Sequence, residues 1–300
     1  MTRAPTVQNA GLGIVLMLIT YMPFAFVDTS VKWLVTLGVP AVQLAFMRYF
    51  TQLVLTSAAM TQHGPPQFRL PRQYLILAVL RAALLMSATV LNFFVLKYLS
   101  LTITSAILFS SPIVVSALSG PLLGEKVGPW RWFAIFVGFC GVLVIVRPFG
   151  TQVHWTAMLM LWNPVAFGLF SIITRKLSDE VPADSLQFYV GFVGAVALLP
   201  FTILTWQNPE TLRDWALMLG IGFWAWGGHE LFIKAHRLAP ASTLMPYTYS
   251  LIIYMTILGV MVFGDIPDAY TIVGALIIVA AGLLIWWRER RRAQPAVAAK

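Results

Sequence analysis

Ten long runs of apolar residues follow one another along the chain, and short polar segments separate them. The runs cover approximately residues 10–31, 40–60, 73–97, 102–122, 130–147, 155–174, 184–206, 213–234, 241–263 and 270–287. Most of them reach or approach the roughly 20 helical residues that cross about 30 Å of hydrocarbon. The strands of a membrane barrel would be about 10 residues long and would alternate strictly, a pattern that these runs lack. The runs therefore predict an all-α polytopic membrane protein with ten transmembrane helices.

The first half of the chain recurs in the second half. Residues Pro23–Phe26 return 141 positions later as Pro164–Phe167, and Leu123–Glu125 return 140 positions later as Phe263–Asp265. With five spans in each copy, the second copy enters the membrane from the opposite face. Inverted repeats are typical of transporters, because two mirrored packings give alternate access to one central site. An old duplication without mechanistic meaning would leave the same pattern.

We predict from this duplication a 5+5 inverted repeat around a central cavity. The first five-helix repeat would cover residues 10–148, the second would cover 152–288, and a cytoplasmic tail would follow over 289–300. Spans 1, 3, 4, 6, 8 and 9 are expected to line the cavity, and spans 5 and 10 are expected to pack at the periphery.

Composition and charge agree with a membrane protein and also predict its orientation. Apolar residues make up 59% of the chain and charged residues only 10%. Most of the 20 Lys and Arg residues fall at one set of span ends, and the positive-inside rule therefore predicts that both termini lie in the cytoplasm. The net charge of +9 is explained by this bias, so no nucleic-acid partner is expected. We predict a monomer in the bilayer of a bacterial inner (plasma) membrane.

Metal and enzyme chemistry have little support in the sequence. Cys140 is the single cysteine, so neither a disulfide framework nor a thiolate metal cluster is expected. His229 and Glu230 resemble the start of a zinc-protease motif, but Ile233 stands where the second histidine is required. We find no paired catalytic carboxylates and no nucleophile elbow. The sequence therefore predicts a protein that is not an enzyme and needs no cofactor or metal.

The tryptophans and the charges inside the spans are candidates for function. Eight of the 11 tryptophans lie near span ends, where interfacial belts account for them, whereas Trp162, Trp224 and Trp226 lie deep within spans. A buried indole needs a hydrogen-bond partner, which favours an interior cavity, although packing between helices would also explain these residues.

Arg81 and Glu230 lie at similar depths from the predicted cytoplasmic ends of their spans. An unpaired charge is costly there, so we hypothesise that the two side chains pair across the bundle. The pair would act as structural glue or as an inner gate. Arg48 also lies within an apolar run, and Glu230 stands as the only deep carboxylate that a proton-coupled mechanism would use.

Repeat-matched positions near the middle of spans carry aromatic and polar side chains together. Tyr21-Met22 matches Trp162-Asn163, Phe109-Ser110 matches Tyr249-Ser250, and Tyr247 matches an isoleucine of the first copy. A pocket between repeats at the membrane midplane is expected to have this pattern. Asn92 and Trp226 complete the set. The predicted substrate-binding residues are Tyr21, Met22, Asn92, Phe109, Ser110, Trp162, Asn163, Trp226, Tyr247 and Tyr249. Such a lining suits a small amphiphile, because aromatic faces hold rings or cations and polar groups orient the polar end.

Several short motifs resemble the EamA-type repeat of the drug/metabolite transporter superfamily. In the first copy they are Ala106–Pro112, Leu123–Glu125, Gly138 and Gly141. In the second copy they are Ala239–Ser242, Gly264-Asp265, Gly274 and Gly282. The second copy departs from the pattern, because Asp265 replaces the usual Glu and Ile252 stands where the first copy has Pro112.

Within that superfamily the chain looks most like bacterial aromatic amino acid exporters of the YddG type. This resemblance implies alternating-access export of small neutral, preferentially aromatic, amino acids. The residues alone leave two alternatives open. One is proton-coupled efflux of cationic drugs or other metabolites, and the other is a receptor or scaffold that transports nothing.

Overall fold

The computed structural model describes residues 10–62, 70–111, 113–114, 118, 122, 129–147, 154–177, 180–238, 247 and 249–293. All regular secondary structure in these ranges is helical, so the predicted all-α fold is confirmed. In chain order the helices are α1 (Ala10–Thr36), α2 (Ala41–Gln62), α3 (Arg72–Val95), α4 (Leu101–Leu108), α5 (Pro129–Val146), α6 (Thr156–Met160), α7 (Trp162–Leu177), α8 (Ala183–Thr205), α9 (Leu212–Leu238), α10 (Ser250–Phe263) and α11 (Ala269–Ala293).

The helices follow the apolar runs, as hydrocarbon thickness requires. Four segments of the described chain are long and apolar enough to cross a membrane: Gly11–Thr36, Arg72–Val95, Thr156–Thr174 and Asp184–Thr205. Three shorter apolar helices cover Trp132–Ile145, Ser250–Phe263 and Ala269–Leu284. Pro112, Leu123–Glu125 and Ala239–Ser242, which carried part of the sequence pattern, lie outside the described residues. The inverted orientation of the two repeats therefore stays a prediction.

Helices from the two halves of the chain interlock. The most extensive pairings join α1 to α9, α2 to α8, α3 to α7, and α5 to α11. Every one of these pairs takes one helix from each half. The helices of the fifth and tenth predicted spans, α5 and α11, pack chiefly against each other. The two halves therefore form one bundle with a shared interior rather than two separate units.

Glycines allow some of these pairs to approach closely. A Cβ atom at Gly274 of α11 would lie 2.7 Å from the carbonyl oxygen of Gly141 on α5. In the same way, a Cβ atom at Gly191 of α8 would lie 3.0 Å from the backbone of Leu53 on α2. Small residues are used in this way in membrane helices, where close van der Waals packing is a main source of association.

Helix breaks occur beside several predicted site residues. Helix α4 ends at Leu108, and Phe109 and Ser110 form a turn. Helix α10 begins at Ser250, directly after Tyr249. A further break at Leu161 separates α6 from α7, so Trp162 is the first residue of α7. In transporters, interrupted helices are found where the backbone lines a binding site.

Candidate functional site

One segment of α3, Leu85–Asn92, makes polar contacts with three other helices; we call it the α3 hub. The Tyr49 hydroxyl of α2 donates to the Leu85 carbonyl oxygen at 3.1 Å. The Trp162 indole nitrogen of α7 donates to Ser87 Oγ at 3.0 Å. Asn92 Nδ2 donates to Asp28 Oδ1 of α1 at 3.1 Å. Polar groups on several facing helices thus meet at one level of the bundle, as in ligand sites of helix bundles.

Trp162 and Asn163 both reach the α3 hub. The Asn163 amide nitrogen donates to the Ala88 carbonyl oxygen at 3.1 Å, and its side chain is buried. Trp162 is 43% exposed although its indole nitrogen is bonded, so part of its ring is accessible. The two adjacent residues therefore have different roles, because Asn163 joins α7 to α3 and Trp162 presents an aromatic surface.

Phe109 and Tyr249 form a second predicted pair that the structure brings together. Their ring centroids lie 5.2 Å apart across the breaks that flank α4 and α10. Ser110 beside them donates to the Ile107 carbonyl oxygen at 2.7 Å, so its hydroxyl is used within its own turn. Its repeat mate Ser250 is different, because Ser250 Oγ is buried and has no hydrogen-bond partner among the described residues.

The other predicted lining residues lie elsewhere. Tyr21 and Tyr247 pack against a small apolar cluster formed by Met17 and Ala235. Met22 is 47% exposed, and Trp226 is half-buried on α9. The ten predicted residues thus divide into separate groups.

The predicted ion pair between Arg81 and Glu230 is not formed in this structure. Arg81 Nε donates to Thr174 Oγ1 of α7 at 2.6 Å, and Nη1 donates to the Leu186 carbonyl oxygen at 3.2 Å. Its guanidinium also lies 4.2 Å from the centre of the Phe170 ring. Glu230 lies on α9, which packs against α1 and α2 instead. Equal depth in the membrane did not make the two helices neighbours, and the gate role of Glu230 stays a prediction.

Asp28 of α1 corrects the interpretation of Glu230 as the only deep carboxylate. It lies about two turns before the C-terminal end of α1, and it is half-buried. Its Oδ1 atom accepts the bond from Asn92. A carboxylate within a predicted membrane span is itself a signal of function, and Asp28 was missing from the predicted site residues.

Arg48 of α2 lies near Asp28 and is held by the α3 hub. Its Nη1 donates to Thr89 Oγ1 at 2.6 Å and to the Tyr49 hydroxyl at 3.0 Å. The guanidinium is close enough to act electrostatically on both Asp28 and His229. The position of Arg48 inside a span was predictable, whereas the residues around it, which come from α1, α3 and α9, were not.

A second polar cluster ties down the end of α1. Lys32, one turn beyond Asp28, forms an ion pair with Asp265, which follows α10. Its ammonium also donates to the Leu99 carbonyl oxygen at 3.1 Å. The neighbouring Trp33 donates to Asp214 of α9 at 3.1 Å. This end of the bundle is therefore joined across α1, α9, α10 and the segment that follows α3.

Two stretches of the chain, 11–147 and 154–287, match the family described as the EamA-like transporter family. Together they cover nearly the whole chain, and the boundary between them falls between α5 and α6. The two matches correspond closely to the two predicted repeats.

Individual transporters are similar to the chain over most of its length. The S-adenosylmethionine uptake transporter of Rickettsia prowazekii is 25% identical over 281 residues, which are 93% of this chain and 94% of the relative. The riboflavin transporter of Vibrio cholerae is 26% identical over 286 residues, 93% and 94% of the two chains. The pseudopaline exporter CntI of Pseudomonas aeruginosa is 26% identical over 270 residues, 90% and 94% of the two chains.

A solved crystal structure is also similar in fold. It matches with a TM-score of 0.64 and 17% sequence identity, and the match covers 94% of this chain and 98% of the other. At this identity the likeness bears on the fold alone. The named relatives handle different molecules in different directions.

Proposed function

The chain belongs to the EamA-like transporter family, and from that premise we propose that it exports small neutral, preferentially aromatic, amino acids by alternating access. Its identity as a membrane transporter of this family is established by the two matches. Substrate class, direction and the monomeric state are the proposal. The cytoplasmic location of both termini is proposed as well, from the distribution of Lys and Arg.

One observation carries the substrate class: aromatic rings lie beside polar groups where helices of the bundle are interrupted. Trp162 begins α7 and offers its ring face next to Asn163. The rings of Phe109 and Tyr249 make a tilted contact just after α4 and just before α10. Aromatic side chains prefer tilted or offset contacts with other rings, so these surfaces favour a substrate with a ring. The polar groups beside them would orient its polar end.

Alternating access needs elements that move relative to one another around this site. The turns at Leu161 and at Phe109-Ser110 separate helical pieces beside the proposed site. The ion pair of Lys32 with Asp265 would close one end of the bundle. Rocking of the pieces about the α3 hub would then expose the site to either side in turn.

A second function has its own supporting observation. Asp28 is a half-buried carboxylate within a span, Arg48 acts on it electrostatically, and Lys32 lies one turn further along α1. A carboxylate in that position would serve proton-coupled efflux of a cationic substrate. In that mechanism a pH gradient would drive flux, whereas in the leading proposal the amino acid gradient alone would suffice.

Counterflow in proteoliposomes tests the proposal. Vesicles loaded with unlabelled phenylalanine are expected to accumulate labelled phenylalanine, tyrosine and tryptophan without a pH gradient. Protein inserted in one known orientation would then report the preferred direction. If no neutral amino acid exchanges, while a cationic dye accumulates only under a pH gradient, the leading proposal is wrong and the second function is supported.

Two tryptophans provide a matched test of the aromatic surface. Trp162→Ala is expected to change the relative rates of phenylalanine and leucine exchange by several-fold at an unchanged protein yield, because it removes the exposed ring. Trp155→Ala is the control, since Trp155 is 61% exposed and lies before the start of α6. Equal effects of the two substitutions on selectivity would contradict the assignment.

A further inference from the structure

We propose that Asp28 and Arg48 bind the two charged ends of a zwitterionic substrate, with Asp28 taking the ammonium group and Arg48 the carboxylate. This inference rests on the proposed transport of amino acids and deepens it, because it assigns a recognition role to a pair of charges. The lining that was expected from the repeats contains neither residue.

Asp28 has one carboxylate oxygen in use and one available. Oδ1 accepts the hydrogen bond from Asn92 at 3.1 Å. Oδ2 accepts no hydrogen bond from the described residues, and the Asp28 side chain is half-buried. The remaining oxygen can therefore accept a hydrogen bond from a substrate. A substrate ammonium group is a donor of the right charge for this position.

In Arg48, too, some polar atoms are hydrogen-bonded within the protein and others are available to a substrate. Its Nη1 atom is engaged by Thr89 and Tyr49, which sets the orientation of the guanidinium plane. The other nitrogens, Nε and Nη2, donate to none of the described residues, and 8% of the surface of this buried residue remains exposed. A guanidinium has five N–H donors in a planar fork that matches a carboxylate, so a substrate carboxylate would use the free donors.

The two charges lie near each other but do not neutralise each other directly. Arg48 acts electrostatically on Asp28, yet the two side chains form no salt bridge within the described part of the chain. Lys32, on the same face of α1 as Asp28, is already engaged by Asp265. Opposite charges kept apart at mid-depth are costly unless something compensates them. A zwitterion placed between them would satisfy both at once.

The face of α1 also offers a place for an aromatic side chain. Phe24 precedes Asp28 by four residues, so the two lie on one helix face about 6 Å apart along the axis. Phe24 is half-buried, and its ring makes an edge contact with His229 of α9 at 5.1 Å between ring centres. The ammonium group and the ring of an aromatic amino acid are separated by a similar distance. Phe24 would therefore lie against the substrate ring while Asp28 holds the ammonium.

Three compounds of one shape separate the contributions of the two charges. L-phenylalanine carries both charged groups, phenethylamine carries only the ammonium, and 3-phenylpropionate carries only the carboxylate. Apparent Kd values are measured by thermal-shift titration of the purified full-length protein in detergent. S-adenosylmethionine and riboflavin are titrated as well, as a larger zwitterion and a neutral aromatic compound.

Charge-assisted hydrogen bonds make the expected effects large. Asp28→Asn is expected to raise the Kd of phenylalanine and phenethylamine by about ten- to a hundred-fold and to change the Kd of 3-phenylpropionate by no more than about twofold. Arg48→Gln is expected to raise the Kd of phenylalanine and 3-phenylpropionate instead. Asp268→Asn is the control for Asp28→Asn, because Asp268 pairs with Arg147 and its side chain is 43% exposed. The unfolding midpoint without ligand reports whether each variant folds. Asp28→Glu keeps the negative charge and should therefore still bind phenethylamine more tightly than Asp28→Asn does.

Each outcome either supports or contradicts the inference, and its failure is distinguishable from failure of the proposed function. If phenylalanine binds and Asp28→Asn and Arg48→Gln leave its Kd unchanged, the inference is wrong and amino acid transport stands. If phenylalanine does not bind but S-adenosylmethionine binds and depends on Asp28, the charge recognition is right and the proposed substrate is wrong. Binding of riboflavin alone, or of none of the five compounds, contradicts both.

Discussion

The contact between Gly141 and Gly274 allows a stability prediction that can be worked out from distances. In Gly274→Ala, the new Cβ would lie 2.7 Å from the Gly141 carbonyl oxygen and 2.5 Å from Ile145 Cγ1. The isoleucine side chain can rotate, but the backbone oxygen cannot move without separating α5 from α11. Such overpacking costs about 1–3 kcal/mol. The better helix propensity of alanine offsets about 1 kcal/mol of this cost, so we expect a net loss of up to about 2 kcal/mol.

Gly227→Ala is the matched control for this substitution. Gly227 also lies within a helix, α9, but a Cβ atom there would have no other atom within 4 Å. Only the propensity effect remains, and we expect a gain of about 0.5–1 kcal/mol. Intrinsic tryptophan fluorescence during thermal unfolding in detergent would measure both variants. A Gly274→Ala midpoint at or above that of the unmodified protein would refute the reasoning, as would an equal drop for Gly227→Ala.

Other substitutions test the polar anchors of the bundle. Arg81→Ala should destabilise the protein by about 2–4 kcal/mol, because it removes two charged hydrogen bonds and the contact of the guanidinium with the Phe170 ring. Glu230→Gln should lower the thermal midpoint far less than Arg81→Ala, and an equal drop would indicate that the two residues do interact. Transport by the Glu230→Gln variant tests the predicted gate role, and an unchanged rate of transport would exclude that role. Asp265→Asn should cost about 1–3 kcal/mol in thermal unfolding, because Lys32 is buried while Asp265 is 30% exposed; an unchanged midpoint would mean that the ion pair does not hold this end together.

Helix positions were predictable because the hydrocarbon layer sets the length of an apolar run. The run over residues 73–97 became α3, Arg72–Val95, and the run over 184–206 became α8, Ala183–Thr205. Two repeat-matched residues of the predicted lining, Phe109 and Tyr249, also lie side by side, with ring centroids 5.2 Å apart. In both cases the signal is carried along the chain, by length or by spacing.

Pairing of charged side chains was not predictable in the same way. Depth along a helix is one coordinate, and it suggested that Arg81 would meet Glu230. The partner also depends on which helices are adjacent and how each is rotated, and α3 turned out to pack against α7 and α8. Arg81 therefore meets Thr174 and the Leu186 carbonyl oxygen.

By itself, the sequence determined an all-helical membrane protein, because the length of an apolar run is a property of the chain alone. Only the tertiary structure brought Asp28 and Arg48 to the same segment of α3, where they contact Asn92 and Thr89. Asp28 and Asn92 are 64 residues apart, and their hydrogen bond exists because α1 and α3 are brought together. Opposite charges within a membrane protein acquire a function only through such packing, since distance and access determine whether they neutralise each other or remain available to a substrate.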